Sequence, residues 1–383
     1  MSEHVVWTPS WYPSADNPLN GIFFAEQVEM LRDAGMDVGV LALDPHSFWQ
    51  GKPEPVMRNG RVFRRGVPVL PKGIFPGDQA LINIYAGPLA DAYEQACGVP
   101  HLIHAHSVFP GILLAKALSD RWGVPYGITE HRPTSLERDR RSPRFRAIHR
   151  AVAGTSFRFS VSEGMAQCAS AVYGRPFEIF PLPVPTAFTR ISPEARAHSE
   201  SSEFVFVHLS VLDRNKRPEE TVRAFARVHA QRPATRLIIG GGSPDRVAEV
   251  ASVARELGVA HAVTCTGRVE RADVPAFMAN ADCHVLFSAQ EAGGTVFSEA
   301  HAVGTPSIAS ATDGGSFNVL PEFGFVVPID DVDALADAML QMIAAKESGH
   351  FAREHIRAAA LERVGPGAYA SKTRVVYNAA VSR

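Results

Sequence analysis

At 383 residues the chain is longer than one ordinary domain and suits two of usual size. Its composition, 46% hydrophobic and 20% charged, is that of a globular protein, and a formal net charge of −2 gives no reason to expect bulk nucleic-acid binding. No apolar run approaches the ~20 residues needed to span a bilayer.

The start, Met1-Ser2-Glu3-His4, has neither the basic opening nor the apolar core of a secretory signal. Cys97, Cys168, Cys265 and Cys283 are scattered, with no Cys-x-x-Cys and no histidine cluster at zinc spacing. These features lead us to expect reduced thiols, no bound metal and a cytoplasmic location.

In chain order, residues 5–7 read as a strand, 25–34 as a helix ending at Gly35, and 38–43 as a second strand. Residues 102–105 read as a buried strand, 111–122 as a helix, and 126–129 and 157–161 as strands. The Pro-, Ser- and Glu-rich stretch 181–203 has little periodicity and predicts a domain boundary. Beyond it the alternation resumes: strand 204–209, helix 218–231, strand 237–239, helix 245–257, strand 263–266 and helix 274–279. Strand 283–288, helix 296–303, strands 307–310 and 325–328, and helix 333–345 follow. Strands alternating with helices predict parallel sheets covered on both faces. The expected architecture is therefore α/β, with two doubly wound, Rossmann-like domains over 1–190 and 200–365. A final helix, about 367–383, would cross back to the first domain. Ligands of such sheets bind at the carboxyl ends of the strands, which predicts a cleft between the two domains.

The most informative local feature is Glu291-Ala-Gly-Gly-Thr-Val-Phe-Ser-Glu299. An apolar strand precedes it, and a helix ended by Gly304-Thr305-Pro306 follows. A strand, a glycine turn and a helix N-terminus present unpaired N–H groups and a positive dipole end to an anion. Two carboxylates beside that turn do not serve phosphate. They suit hydroxyls, such as those of a sugar or a ribose.

The ordered set of motifs resembles the retaining glycosyltransferases of family 4, which have the GT-B fold. The resemblance rests on Glu291, Glu299, Gly304-Thr305-Pro306 and Gly314-Gly315 in the C-terminal half. In the N-terminal half it rests on Ser10-Trp11-Tyr12-Pro13, Asn17-Pro18, Gly21, Glu26-Gln27, His104-Ala105-His106-Ser107 and Thr129-Glu130-His131. It implies a hexosyltransferase that moves sugar, with retention, from a nucleoside-diphosphate sugar, UDP foremost, to an acceptor hydroxyl. The acceptor class spans glycans, lipid-linked glycans and small molecules, in the setting of polysaccharide biosynthesis. No cofactor is implied, since the nucleotide sugar is a co-substrate. An epimerase of the same architecture, or a non-catalytic partner subunit that binds nucleotide sugar, are the alternatives.

By this resemblance Glu299 holds the donor ribose and Glu291 contacts the donor sugar. The amides of Gly293, Gly294, Thr295 and Val296 meet sugar and phosphates, and Lys216 stabilises the charge growing on the leaving diphosphate. The family's usual arginine, about five residues before the lysine, is Val211 here, so Arg214 is the substitute candidate. Gly241, in Gly240-Gly241-Gly242, lets backbone approach the phosphates, and Gly267-Arg268-Val269 matches the loop that reads the base. His131 hydrogen-bonds a sugar hydroxyl. Gly21 belongs either to a loop near phosphate and acceptor or to an ordinary helix-entry turn. His104 and His106 face the same way on their strand, with packing or acceptor contacts expected of both.

Two departures stand out. Pro181-Leu182-Pro183-Val184-Pro185 occupies the interdomain turn, and Asn318 replaces the usual Glu after Gly314-Gly315. Residues 132–150 carry seven arginines, from Arg132 to Arg150. A solvated, partly disordered face is the default expectation, and peripheral contact with an anionic lipid carrier or the inner membrane surface the functional one.

Overall fold

The computed structural model describes residues 4–18, 20–47, 55–69, 77–132, 140–191 and 203–382. The chain divides into two units, Met1–Pro181 with Tyr369–Arg383, and Leu182–Ala368.

The first unit opens with β1 (His4–Pro9), α1 (Ile22–Asp33), β2 (Asp37–Ser47), β3 (Met57–Asn59), β4 (Val62–Val69) and α2 (Asp78–Cys97). Then come β5 (Leu102–His106), α3 (Leu113–Trp122), β6 (Tyr126–Glu130), α4 (Pro143–Ala153), β7 (Arg158–Ser160), α5 (Glu163–Tyr173) and β8 (Glu178–Ile179). The strand order is β3-β4-β2-β1-β5-β6-β7-β8, all parallel apart from the β3–β4 pair. Every residue of β1 and β5 is buried, as expected of central strands covered on both faces. The last helix, α14 (Pro366–Val381), lays Tyr369, Ala370 and Tyr377 into the cluster of Val5, Trp7, Phe24 and Val38. Trp7 Nε1 donates to Tyr377 Oη at 2.9 Å, and Tyr369 Oη donates to Gln27 at 3.0 Å.

Two elements of this unit correct the sequence reading. No element is expected over 78–97, yet α2 spans it and runs through Gly87 and Pro88. Its buried Ile82, Ala86, Leu89, Ala90 and Tyr93 keep helical spacing, so packing overrides propensity. Residues 143–153 are not a disordered face but the amphipathic helix α4. Ser142 Oγ accepts from Phe145 N at 3.1 Å, Pro143 sits at the first turn, and Phe145, Ile148, Ala151 and Val152 are buried. Of the arginines on that helix, Arg146 and Arg150 are exposed, whereas Arg144 is turned inward and pairs with Asp78 at 2.7 Å. Residues 133–139 of the arginine run lie outside the described residues.

The second unit begins with α6 (Thr186–Thr189). Its sheet and helices are β9 (Phe204–Leu209), α7 (Pro218–Gln231), β10 (Thr235–Gly240), α8 (Pro244–Glu256), β11 (Val263–Gly267), α9 (Val274–Ala279) and β12 (Cys283–Leu286). They continue with α10 (Thr295–Ala302), β13 (Ser307–Ser310), α11 (Asp313–Asn318), β14 (Gly324–Val327), α12 (Val332–Glu347) and α13 (Arg353–Val364). The all-parallel order is β11-β10-β9-β12-β13-β14. Counted within the unit this is 3-2-1-4-5-6, the doubly wound order that reverses between its first and fourth strands. Residues 182–190, expected in the first domain, belong here. Phe188 is buried among Val207, Met278 and Ala300, and Val184 N donates to Val364 O at 2.9 Å.

Candidate functional site

In the second unit the reversal lies between β9 and β12, where two neighbouring strands send their chains to opposite sides. That leaves the loops 210–217 and 287–294 flanking one crevice at the carboxyl end of the sheet, the usual ligand position of such folds. Asn215 splices the two loops. Its carbonyl accepts from Ala289 N at 2.7 Å, its Oδ1 from Gln290 N at 2.9 Å, and its Nδ2 donates to Gln290 O at 3.0 Å.

The splice sets Lys216 against Glu291. Lys216 Nζ and a Glu291 carboxylate oxygen form an ion pair whose side chains are 20% and 16% exposed. The other Glu291 oxygen accepts from Gly294 N at 3.3 Å, and its carbonyl accepts from Gly314 N at 2.7 Å. Gly294 takes a left-handed φ of 57° at the entry to α10. A Cβ there would come within 2.9 Å of Asn318 Nδ2 and Gly314 O. A Cβ on Gly314 would be 2.9 Å from Glu291 Cγ. Gly314 and Gly315 are not a turn but the start of α11, capped by Thr312 through Gly315 N at 3.2 Å. Their small size, rather than their dihedral freedom, is what the two pressed backbones require.

Asn318 locks this contact. Its Nδ2 donates to Gly293 O at 2.9 Å and Gly314 O at 2.8 Å, and its Oδ1 accepts from Ser298 Oγ at 3.1 Å. A carboxylate at this position could not donate to those carbonyls. Glu299, on α10 with its side chain 9% exposed, pairs with Arg271 at 2.8 Å. Lys216, Glu291, Gly293, Gly294, Thr295, Val296 and Glu299 are thus gathered at one end of the sheet.

The remaining predicted donor residues are placed less uniformly. Gly241 has φ 102°, its N donates to Gly267 O at 2.6 Å, and a Cβ would stand 1.8 Å from Ser210 O. Gly267 has φ 70° with open space about it. Arg268 is exposed and pairs with Glu270 at 3.1 Å. Arg214 is exposed and makes no ion pair among the described residues. Just below Lys216, His208 is buried, its Nε2 2.8 Å from Ser210 Oγ. Burial, then the Lys216 charge, push it down to about 3.

In the first unit the order reverses between β1 and β5, and His106 and His131 lie at the ends of β5 and β6. His106 Nδ1 is 3.1 Å from His131 Nε2. Burial holds His131 down to about 3. His104 is absorbed in packing, with Nδ1 2.8 Å from Tyr377 Oη and Nε2 2.8 Å from Thr129 Oγ1. Glu130 is fully buried, and one of its oxygens accepts from Ser107 Oγ at 3.0 Å and from His131 N and Arg132 N at 2.8 Å. Burial pushes its carboxyl up, opposed by those bonds. Gly21 enters α1 with φ 77°, and a Cβ would sit 2.7 Å from Trp11 Cδ1. A structural demand for glycine is therefore present there.

Asn215, Arg271 and the lock made by Asn318 were missed by the sequence reading. Asn215 adjoins Lys216, but its partners Ala289 and Gln290 lie 74 and 75 positions away. Among the described residues no three His, Cys, Asp or Glu side chains are grouped to hold a metal ion.

Family models match both halves of the chain. The Glycosyl transferase 4-like domain covers residues 21–185, and Glycosyl transferases group 1 covers 192–360. The chain belongs to the group 1, family 4 glycosyltransferases. A similar member of the family is TuaC of Bacillus subtilis strain 168, named as a teichuronic acid biosynthesis glycosyltransferase. It is 25% identical over 362 residues, covering 88% of each chain. The D-inositol 3-phosphate glycosyltransferase of Mycobacteroides abscessus is 28% identical over 69% of this chain and 62% of its own. Among solved structures, HepE of Anabaena in complex with UDP aligns with a TM-score of 0.71 at 17% identity, over 98% of this chain and 100% of its own. The fold is that of the GT-B glycosyltransferases, two parallel-sheet α/β units, and this family member is a glycosyltransferase. Among the described residues no helix is long and apolar enough to cross a membrane.

Proposed function

We propose that the protein transfers a hexose, with retention of configuration, from a nucleoside-diphosphate sugar to an acceptor hydroxyl. UDP is the favoured nucleotide, in line with the UDP complex of HepE. The acceptor class is a glycan, a lipid-linked glycan or a small molecule, and TuaC's name favours a cell-surface polysaccharide.

The observation that carries this reading is the Lys216–Glu291 pair beside the Gly293-Gly294 turn and the N-terminus of α10. In the resting site each charge neutralises the other. A diphosphate would take Lys216 from Glu291 and gain the free amides of Thr295 and Val296. Glu291 would then be free to accept from sugar hydroxyls. As the glycosidic bond breaks, negative charge grows on the leaving phosphate oxygen, and a fixed ammonium stabilises that state more than the ground state. No metal is needed for that charge. Glu299, held by Arg271, presents its carboxylate to the ribose hydroxyls. Gly241 and Gly267 give backbone access to phosphate and base, while Arg214 and Arg268 are left as solvent-side cations. In the first unit His131 hydrogen-bonds a sugar hydroxyl, and Gly21 borders the loop that follows β1. The exposed arginines of α4 suit an anionic acceptor or the inner membrane surface from the cytoplasmic side.

The test is a panel of UDP-, GDP-, ADP- and dTDP-sugars read by thermal shift, followed by product anomer analysis by NMR. A bound donor raises the melting temperature by mass action. Silence across the panel, or an inverted anomer, ends this proposal. Release of an epimerised donor without acceptor would instead favour an epimerase.

A further inference from the structure

His106 and His131 form a pair of imidazoles whose outer nitrogens are both unpartnered. The inner nitrogens, His106 Nδ1 and His131 Nε2, are 3.1 Å apart, with the rings stacked at 30°. His106 Nε2 and His131 Nδ1 are buried and have no hydrogen-bond partner among the described residues. His106 lies flat against Trp7, ring centres 3.8 Å apart at 37°, and Phe24 closes on both imidazoles at 5.1 and 5.0 Å. The neighbouring His104 has both nitrogens engaged, by Tyr377 and Thr129. Burial keeps His131 at about 3 and His106 well below its ordinary range, so both rings are neutral near pH 7.

Two neutral rings share one proton at their contact, which leaves two arrangements. If His131 donates, the second proton sits on His106 Nε2, an N–H sealed among aromatic rings with no acceptor. If His106 donates, its Nε2 is a bare lone pair, and the second proton sits on His131 Nδ1, which is also buried and without an acceptor among the described residues. Either arrangement leaves one buried N–H without an acceptor, so the two differ in which of those groups a ligand can approach. His106 is 1% exposed. His131 is only part-buried, and it lies beyond the end of its strand, where a ligand can relieve the unpaired group. Glu130 fixes the backbone there by accepting from His131 N and Arg132 N.

We infer that His106 is a positioning residue for His131. By donating its Nδ1–H to His131 Nε2, it sets His131 as the Nδ1–H tautomer, which offers a hydrogen-bond donor, not a base, to a substrate hydroxyl oxygen. The tautomer stands on the geometry of the first unit alone. Its use toward a sugar hydroxyl rests on the transferase reading above.

The experiment is a long-range 1H–15N correlation spectrum of the full chain labelled with 15N-histidine at pH 7.5, with His131 assigned by its loss in His131→Gln. Protonated Nδ1 and bare Nε2 on both rings are expected. Protonated Nε2 on His131 overturns the inference. His106→Asn, which keeps a short donor, should retain kcat/KM within about 3-fold, whereas His106→Leu should lose about 10-fold or more and shift the His131 signals to a tautomer mixture. Unchanged His131 signals in His106→Leu also overturn it. If that variant fails to fold, the wild-type and His106→Asn spectra still decide. The expected spectrum in a chain that turns over no nucleotide sugar supports the pairing and overturns only the transferase chemistry assigned to it.

Discussion

The two units end their central strands in opposite chemistry. In the first, the carboxyl ends of β5 and β6 carry neutral imidazoles sunk among Trp7, Phe24 and Tyr377. In the second, the loops after β9 and β12 carry an ion pair, Lys216–Glu291, that keeps partial contact with solvent. The first arrangement is part of a core and is held by packing. The second is a close ion pair on spliced loops, its side chains 20% and 16% exposed, and each charge relies on the other for compensation. Lys216 can exchange that partner for an anionic ligand. The same fold thus supplies a rigid wall in one unit and an exchangeable charge in the other.

The largest expected effect lies in the second unit. Lys216→Ala should lower kcat/KM by about 10²–10³-fold, as expected when one fixed charge-stabilising group is lost. The same variant should lower the melting temperature only modestly, because Glu291 loses its counter-charge but keeps some contact with water. A marked loss of stability without loss of turnover would reverse the comparison.

His104→Ala tests the first unit. It deletes a buried ring and its bonds to Tyr377 and Thr129, for a cost of about 3 kcal/mol in denaturant unfolding. A cost below ~1 kcal/mol would show that the imidazole wall is not structural.

Acid should expose a liability that both units share. His131, His208 and His301 are held down to about 3 by burial, against an ordinary 6.5. The folded chain leaves them neutral while the unfolded chain takes up protons, so their contribution is full above pH 6.5. It declines as pH falls toward 3. Each imidazole then loses about 1.4 kcal/mol for each pH unit well below 6.5. Urea unfolding at pH 7.5 and 5.5 should therefore differ by several kcal/mol, and equal stabilities would sink the neutral-core account.

The smallest effect is Arg214→Ala. An exposed arginine without an ion partner should change kcat/KM by less than about 2-fold. A loss comparable to that of Lys216→Ala would mean that Arg214 swings in to hold phosphate.

Much of the fold was legible because parallel α/β order is written locally. The helix over 218–231 and the strand over 307–310 have the observed bounds, Pro218–Gln231 and Ser307–Ser310. Pro218 at the first turn marks the helix, and Gly304-Thr305-Pro306, just before Ser307, marks the strand. What escaped had a misleading local signal. Gly87 and Pro88 concealed α2, and the arginines of α4 concealed its apolar stripe. At the site, the segment from Glu291 to Glu299 was readable as strand, turn and helix start. The partners Asn215, Arg271 and Asn318 were not, since each acts on residues 20 to 75 positions away.

By itself the sequence determined the element types, the glycine turn flanked by two carboxylates, and the ordered motifs that mark the family. Those are short-range properties, set by backbone preference and hydrophobic period. Tertiary structure decided which loops meet. Only the reversal between β9 and β12 brings Lys216 to Glu291, and only the adjacency of β5 and β6 pairs His106 with His131. Strand order is a property of the whole sheet, and no local pattern of residues carries it.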